Sequence, residues 1–103
     1  MDGLGFVVSR NGNDHTFVLA GELDVSTRTI LLESFHLPSL AGRNLVLDLS
    51  DVTFVDSSGV QSLLIILDAL GTGRLTLRNA QPNVRKLFEL VGLTDFGNVD
   101  ISS

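Results

Sequence analysis

The chain contains no cysteine. That gap removes disulfide staples, thiolate nucleophiles and cysteine-based zinc sites together. Proline occurs only twice, at Pro38 and Pro82, and ten glycines are scattered along the chain, so neither collagen-like nor linker-like sequence is present. Positive charge is scarce as well. Seven Lys and Arg against twelve Asp and Glu leave a net charge of −5 and an isoelectric point near 4.6. With no basic run to compensate, the chain lacks the electrostatic footprint of a nucleic-acid binder. Long apolar runs are missing too: the longest is Leu63–Leu67, far short of the roughly 20 residues that span a bilayer. Met1–Asp2–Gly3 has neither the basic start nor the apolar core of a signal peptide. The expectation is a soluble, cytoplasmic protein with no direct nucleic-acid contact and no membrane insertion.

What is present is core-forming material. A chain of 103 residues, 44% hydrophobic and 18% charged, has room for one globular domain covering residues 1–103. Phe6–Ser9 and His15–Ala20 flank Asn11–Gly12–Asn13–Asp14, whose Asn-Gly dipeptide signals an antiparallel hairpin. Ser26 or Thr27 can cap a first helix, with Ile30, Leu31, Ser34 and Phe35 at near-helical spacing as far as Pro38. Asn44–Ser50 reads as a central strand buried on both faces. Asp51–Gly59 reads as a polar turn, with Ser57 the N-cap of a second helix that runs from Val60 to Leu70 and stops at Gly71. Arg74–Arg78 alternates as a strand does. Pro82 opens a third helix with Val84, Leu87, Phe88 and Val91 inward and Gly92 at its end, leaving one short strand or a frayed tail. The pattern predicts an α/β mixed sheet: an opening antiparallel hairpin, then parallel β-α units covered by helices.

Sites in such sheets gather beyond the carboxyl ends of the parallel strands, which is where Asp56–Ser57–Ser58–Gly59 falls. Free N–H groups and the helix dipole favour an anion at a helix start. Capping by Asp56 and Ser57 accounts for one or two polar residues there and leaves the second hydroxyl without a task. From the residues alone, capping is the plainer reading and a phosphorylation site the sharper one. Asp24, Asp48, Asp51 and Asp56 lie at or near strand ends and read as caps and loop residues before they read as a cation site. The one lysine, Lys86, lies inside a helix rather than at the strand end where a phospho-accepting receiver domain needs it. No Gly-x-Ser-x-Gly elbow and no Gly-Lys-Ser loop occurs, and His15 and His36 have no evident route to Ser58. On the second helix Val60, Leu63, Leu64, Leu67 and Leu70 form the expected inner stripe, with Ser62 and Ala69 behind and Ile65 and Ile66 to the sides. Only Asp68 is charged between Gly59 and Gly73, so the outer face reads as a docking surface.

Gly21–Glu22–Leu23–Asp24, Leu45–Leu49 with Phe54–Val55–Asp56–Ser57–Ser58–Gly59–Val60, and Val84–Leu87 leading to Leu93–Thr94 together resemble STAS domains, and among them the bacterial anti-sigma-factor antagonists. The resemblance covers nearly the whole chain and implies a STAS-type fold. It further implies a partner switch: the unphosphorylated domain binds an anti-sigma factor with serine kinase activity, and phosphorylation ends the binding. The accepting serine is the second of the Asp-Ser-Ser-Gly motif, here Ser58, so the resemblance favours phosphorylation over capping alone. Asp56, Ser57 and Gly59 form the cap and loop; the resemblance puts Asp24 in the neighbouring loop at the border of the docking site, and the helix facing adds Ser62, Ile65 and Ala69 to the expected interface. A separate serine phosphatase would reverse the step. ATP and Mg²⁺ belong to the kinase, so no catalytic residue, cofactor or metal is expected in this chain. Gln61 stands where many relatives have glycine, and Leu63–Leu70 where they carry arginines. An apolar second helix also fits a non-switching STAS scaffold subunit of a signalling assembly or lipid-transport complex.

Overall fold

A computed structural model describes residues 6–10 and 15–102. The turn expected at 11–14 lies outside the described residues, but the strands that flank it pair as a hairpin. β1 (Phe6–Arg10) runs antiparallel to β2 (Thr16–Leu23), with Val8 opposite Leu19 and Phe6 opposite Gly21. The chain continues through α1 (Arg28–Glu33), a 3₁₀ turn (Leu37–Leu40), β3 (Leu45–Val55), α2 (Ser57–Leu70), β4 (Leu75–Arg78), α3 (Pro82–Leu90), a second 3₁₀ turn (Leu93–Asp95) and β5 (Val99–Ser102). The five strands lie side by side in chain order, and β2 to β5 are parallel. The segment after α3 therefore supplies a strand and is no frayed tail. No described helix is long and apolar enough to cross a membrane.

Each parallel link steps one strand in the same direction, and right-handed crossovers then bring every helix over the same face. Burial follows the register. The rows Leu45–Leu75–Val99 and Phe17–Leu47–Leu77–Ile101 point to the helices, and their leucines are buried. The alternate rows, Thr16–Val46–Thr76–Asp100 and Val18–Asp48–Arg78–Ser102, form the other face. β3 is thus central, as expected, but buried on one face rather than two. Its open-face carboxylate is well held: desolvation pushes the Asp48 pKa up, yet hydrogen bonds from the Ser50 amide (3.0 Å) and Asn79 Nδ2 (3.3 Å), with the Arg78 charge, bring it below the ordinary range. At the edge, Arg74 grips Asp100 with Nε at 3.0 Å and Nη2 at 2.8 Å.

β3 is longer than the sequence pattern indicates. Asp51–Val55, expected as a turn, continues the strand, so Asp48 and Asp51 lie within it and not at its end. β4 pairs only with Leu45–Asp48, whereas β2 accompanies β3 as far as Val55. The second half of β3 therefore has one neighbour, and Asp51 and Thr53 stay exposed.

On α2 the buried side chains include Val60, Ser62, Leu63, Ile66, Leu67 and Leu70, while Leu64 and Ala69 are half-buried and Ile65 exposed. At about 100° per residue the inner stripe is rotated by roughly 60° from the one expected. Ser62, expected in the interface, is buried and cannot meet a partner; Ile66 is buried too. Ser62 is tolerated there because its hydroxyl donates to the Gly59 carbonyl at 2.6 Å. The rotation arises because α2 packs against α1 and the first 3₁₀ turn as well as the sheet. On α3, Val84 and Phe88 are buried as expected, but Val91 is exposed just past the last turn.

The facing of α2 is open to test by urea unfolding. Ile66→Ala should cost about 2–5 kcal/mol by leaving a core cavity. Ile65→Ala should cost less than about 1 kcal/mol, with Leu64→Ala between the two. Equal losses at Ile65 and Ile66 would contradict the facing.

Candidate functional site

The site is built by two strands that end side by side. Leu23 of β2 is in register with Val55 of β3, and the Asp56 amide donates to the Leu23 carbonyl at 3.2 Å. This pairing brings together the loop that leaves β2 at Asp24 and the start of α2 just beyond β3.

Asp56 is the N-cap of α2. Its backbone is extended, and its Oδ1 accepts from the Gly59 amide at 3.1 Å. Ser57, expected as the cap, is instead the first helical residue, because β3 runs on to Val55 and leaves one residue for the change of direction. The Val60 amide closes the first helical bond to the Asp56 carbonyl at 3.0 Å. The Ser57 and Ser58 amides precede any intrahelical acceptor. Ser57 is exposed and Ser58 half-buried. Neither hydroxyl is hydrogen-bonded among the described residues, whereas those of Ser26, Ser34, Ser39 and Ser62 each donate at 2.6–2.7 Å. The two serines at the helix start are therefore unengaged at the point where an anion is best received.

Gly59 makes the junction fit. A Cβ there would lie 2.6 Å from the Leu23 carbonyl oxygen and 2.9 Å from side-chain carbons of Leu23 and Val55. Only glycine lets the first turn of α2 sit on the end of β2.

The Asp24 loop is ordered by its own hydrogen bonds. Asp24 Oδ1 accepts from the Ser26 hydroxyl at 2.7 Å and the Ser26 amide at 3.0 Å, with the Thr27 hydroxyl oxygen 3.3 Å away. Thr27 is buried, and its one hydroxyl proton goes to the Glu22 carbonyl at 2.7 Å. Thr27 holds the N-cap position of α1, as expected, but its side chain caps no amide of the helix: it ties the loop back to β2 and accepts from the Asp24 amide at 3.0 Å. The Ser26 hydroxyl is the largest influence in holding the Asp24 carboxyl below the ordinary range. Asp24 and Asp56 thus end adjacent strands, with Ser58 in the turn just beyond. Among the described residues no three His, Cys, Asp or Glu side chains gather as a metal site.

Of the other residues expected in the interface, Ile65 is exposed and Ala69 half-buried. The sequence reading overlooked Val25 and Phe54, apolar residues 67% and 43% exposed on the segments that carry the site. It also gave no interface role to Gln61, which is exposed one turn beyond Ser57. A phenylalanine inside a predicted polar turn was the available signal.

Comparison with known proteins gives a consistent set of relatives. The family model described as "Mlab, STAS domain" matches residues 6–100. The anti-sigma-B factor antagonist of Bacillus subtilis (strain 168) is 32% identical over 98 residues, covering 93% of this chain and 88% of that protein. A STAS-domain containing protein of Pseudomonas aeruginosa is 27% identical over 84 residues, covering 80% and 83%. Among solved structures, the unphosphorylated form of the anti-sigma factor antagonist SpoIIAA superposes with a TM-score of 0.70 at 24% identity, covering 95% of this chain and 88% of that one. The phosphorylated form of the Bacillus cell fate determinant SpoIIAA gives 0.66 at 26% identity, covering 95% and 91%.

The junction yields two predictions. Gly59→Ala, a change that ordinarily stabilises a helix interior by roughly 0.5–1 kcal/mol, should here destabilise by about 1–3 kcal/mol in denaturant unfolding, since the clash is with backbone. In an NMR carboxyl titration Asp24 should titrate below the ordinary value near 3.8, and Ser26→Ala should raise its midpoint. The stabilisation from this carboxylate is complete above the ordinary value and is lost as pH falls through the lower, folded one. An unchanged midpoint in Ser26→Ala would refute the assignment.

Proposed function

Since the chain belongs to the STAS domain family, we propose that it acts as an anti-sigma-factor antagonist switched by phosphorylation at Ser58. In the unphosphorylated state it binds an anti-sigma factor that has serine kinase activity, and so frees a sigma factor. The observation that carries this reading is the unengaged Ser58 hydroxyl in the first turn of α2, beside Asp24 and Asp56, in a chain 32% identical to the anti-sigma-B factor antagonist of Bacillus subtilis. The surface is formed by the Asp24 loop with Val25, by Phe54, and by Ile65 and Ala69 on α2.

Transfer would proceed by attack of the Ser58 oxygen on the γ-phosphorus of ATP held by the partner kinase; the bond to ADP breaks, and the serine proton is lost. The phosphate brings about −1.5 to −2 charges to a place that already has two carboxylates. Within the free domain the helix N-terminus offsets part of that charge. In the complex, desolvation and repulsion against an apolar or acidic partner surface are not offset, and only about 1.4 kcal/mol is needed for each tenfold loss of affinity. No refolding is required. That this chain superposes on both the unphosphorylated and the phosphorylated structures of SpoIIAA is in keeping with a switch by local charge. A separate serine phosphatase resets the domain, which in this reading is a substrate and no catalyst.

A second reading is favoured by the exposed apolar Ile65 on α2: a scaffold subunit held permanently through that helix. Binding measurements with a partner captured from native-cell lysate on the unmodified domain separate the two. Under the switch, Ser58→Asp weakens the complex by about tenfold or more, and Ser58→Ala abolishes phosphorylation while changing stability by less than about 0.5 kcal/mol. Under the scaffold reading Ile65→Asp disrupts the complex and Ser58→Asp leaves it intact.

A further inference from the structure

A group of basic and imidazole side chains in this acidic protein lies at the other end of the sheet. β3 starts at Leu45 and ends at Val55, so its two ends are roughly 33 Å apart. A cavity of about 230 Å³ at the amino ends of β2 and β3 is lined by both histidines, His15 and His36, and by Arg10 and Arg43. Two of the seven basic residues and every histidine of a chain with net charge −5 thus meet in one place. No aspartate or glutamate is among the described lining residues.

The elements fix this arrangement. The His15 carbonyl accepts from the Val46 amide at 2.8 Å, and the Arg43 amide donates to the Leu40 carbonyl at 2.9 Å. The Arg43 guanidinium lies 2.9 Å from His15 Nε2. A guanidinium only donates, so Nε2 accepts and the ring proton sits on Nδ1. Arg43 has no carboxylate partner among the described residues and retains further N–H donors. The cavity's other wall is apolar. Phe17 and Phe35 meet edge to face with centroids 4.8 Å apart, and Leu40 and Leu45 are buried behind them.

From this juxtaposition we infer that the cavity is a second binding site, for a small anion with an apolar body, an aromatic carboxylate being the class that fits. The carboxylate takes the Arg43 fork, and the ring lies against Phe17 and Phe35. The volume, equal to about eight waters of liquid, admits a ligand of fragment size. This site shares no residue with the Ser58 surface and stands whether or not the proposed switch does.

The test is an amide NMR titration of the full chain with benzoate, against benzyl alcohol and inorganic phosphate as the neutral and the purely anionic probes. Benzoate should shift the amides of His15, Phe35, Arg43 and Leu45 saturably, with a Kd of about 1 mM, and leave Ser57 and Ser58 unmoved. Both control probes should bind at least about tenfold more weakly. Arg43→Gln, at an exposed position, should weaken benzoate by about tenfold or more. Arg74→Gln, which removes the same charge from the far edge, should not. The inference is overturned if benzoate causes no saturable shift, if either control probe binds as well, or if the two arginine variants behave alike.

Discussion

The first turn of α2 rests on the carbonyl that ends β2, and glycine at position 59 is what permits the contact. The rest of the site depends on this near-touch. With the helix seated there, Asp56 is the residue left to turn the chain, and its side chain takes the Gly59 amide. Its own amide returns to Leu23, which keeps β2 and β3 aligned to their last residues. Asp24 then has to leave the sheet beside the helix start, where Ser57 is exposed and Ser58 half-buried, their hydroxyls without a partner among the described residues. A larger residue at 59 would force the helix off the strand. The two carboxylates and the serine would then no longer share one surface.

The sheet was legible where alternation survives. Leu75 and Leu77 declare one face of β4, and Leu45, Leu47 and Leu49 do the same for β3. Chain-order strands and the usual handedness of crossovers carry the topology from there. The second half of β3 was hidden because only one strand pairs with it, and its exposed Asp51 and Thr53 resemble a turn. The same error moved the cap from Asp56 to Ser57: both are good capping residues, and only the true end of the strand decides between them.

The facing of α2 failed for a different reason. Leu63–Leu67 is an unbroken apolar run, and such a run has no direction of its own. Leu64 and Ile66 are equally apolar, and the neighbours decide which is buried. Here α2 packs against α1 and the first 3₁₀ turn as well as the sheet, and Ile66 and Ser62 are buried. A small serine that satisfies its own hydroxyl against the preceding turn is read from sequence as surface, although its size suits it to a tight helix contact. The motif around Ser58 was easier because its chemistry does not depend on rotation about an axis: a helix start after a strand end exposes amides in any packing.

A rigid mounting is also what a charge-operated surface needs. If the loop and helix start could shift, a phosphate on Ser58 would find local counter-contacts, and part of its cost to a partner would be relaxed away. Three features oppose that. Asp24 is held by the Ser26 and Thr27 groups, Thr27 is anchored to β2 through Glu22, and α2 is clamped by Gly59 below and by buried Leu63, Ile66 and Leu70 along its length. Under the proposed switch, whatever part of the added charge the helix start does not offset is therefore presented to the docking partner. The same rigidity argues that the two ends of β3 work separately. A ligand at the His15–Arg43 end would have to move a strand packed in the core to be felt at Ser58, and packed cores resist small displacements.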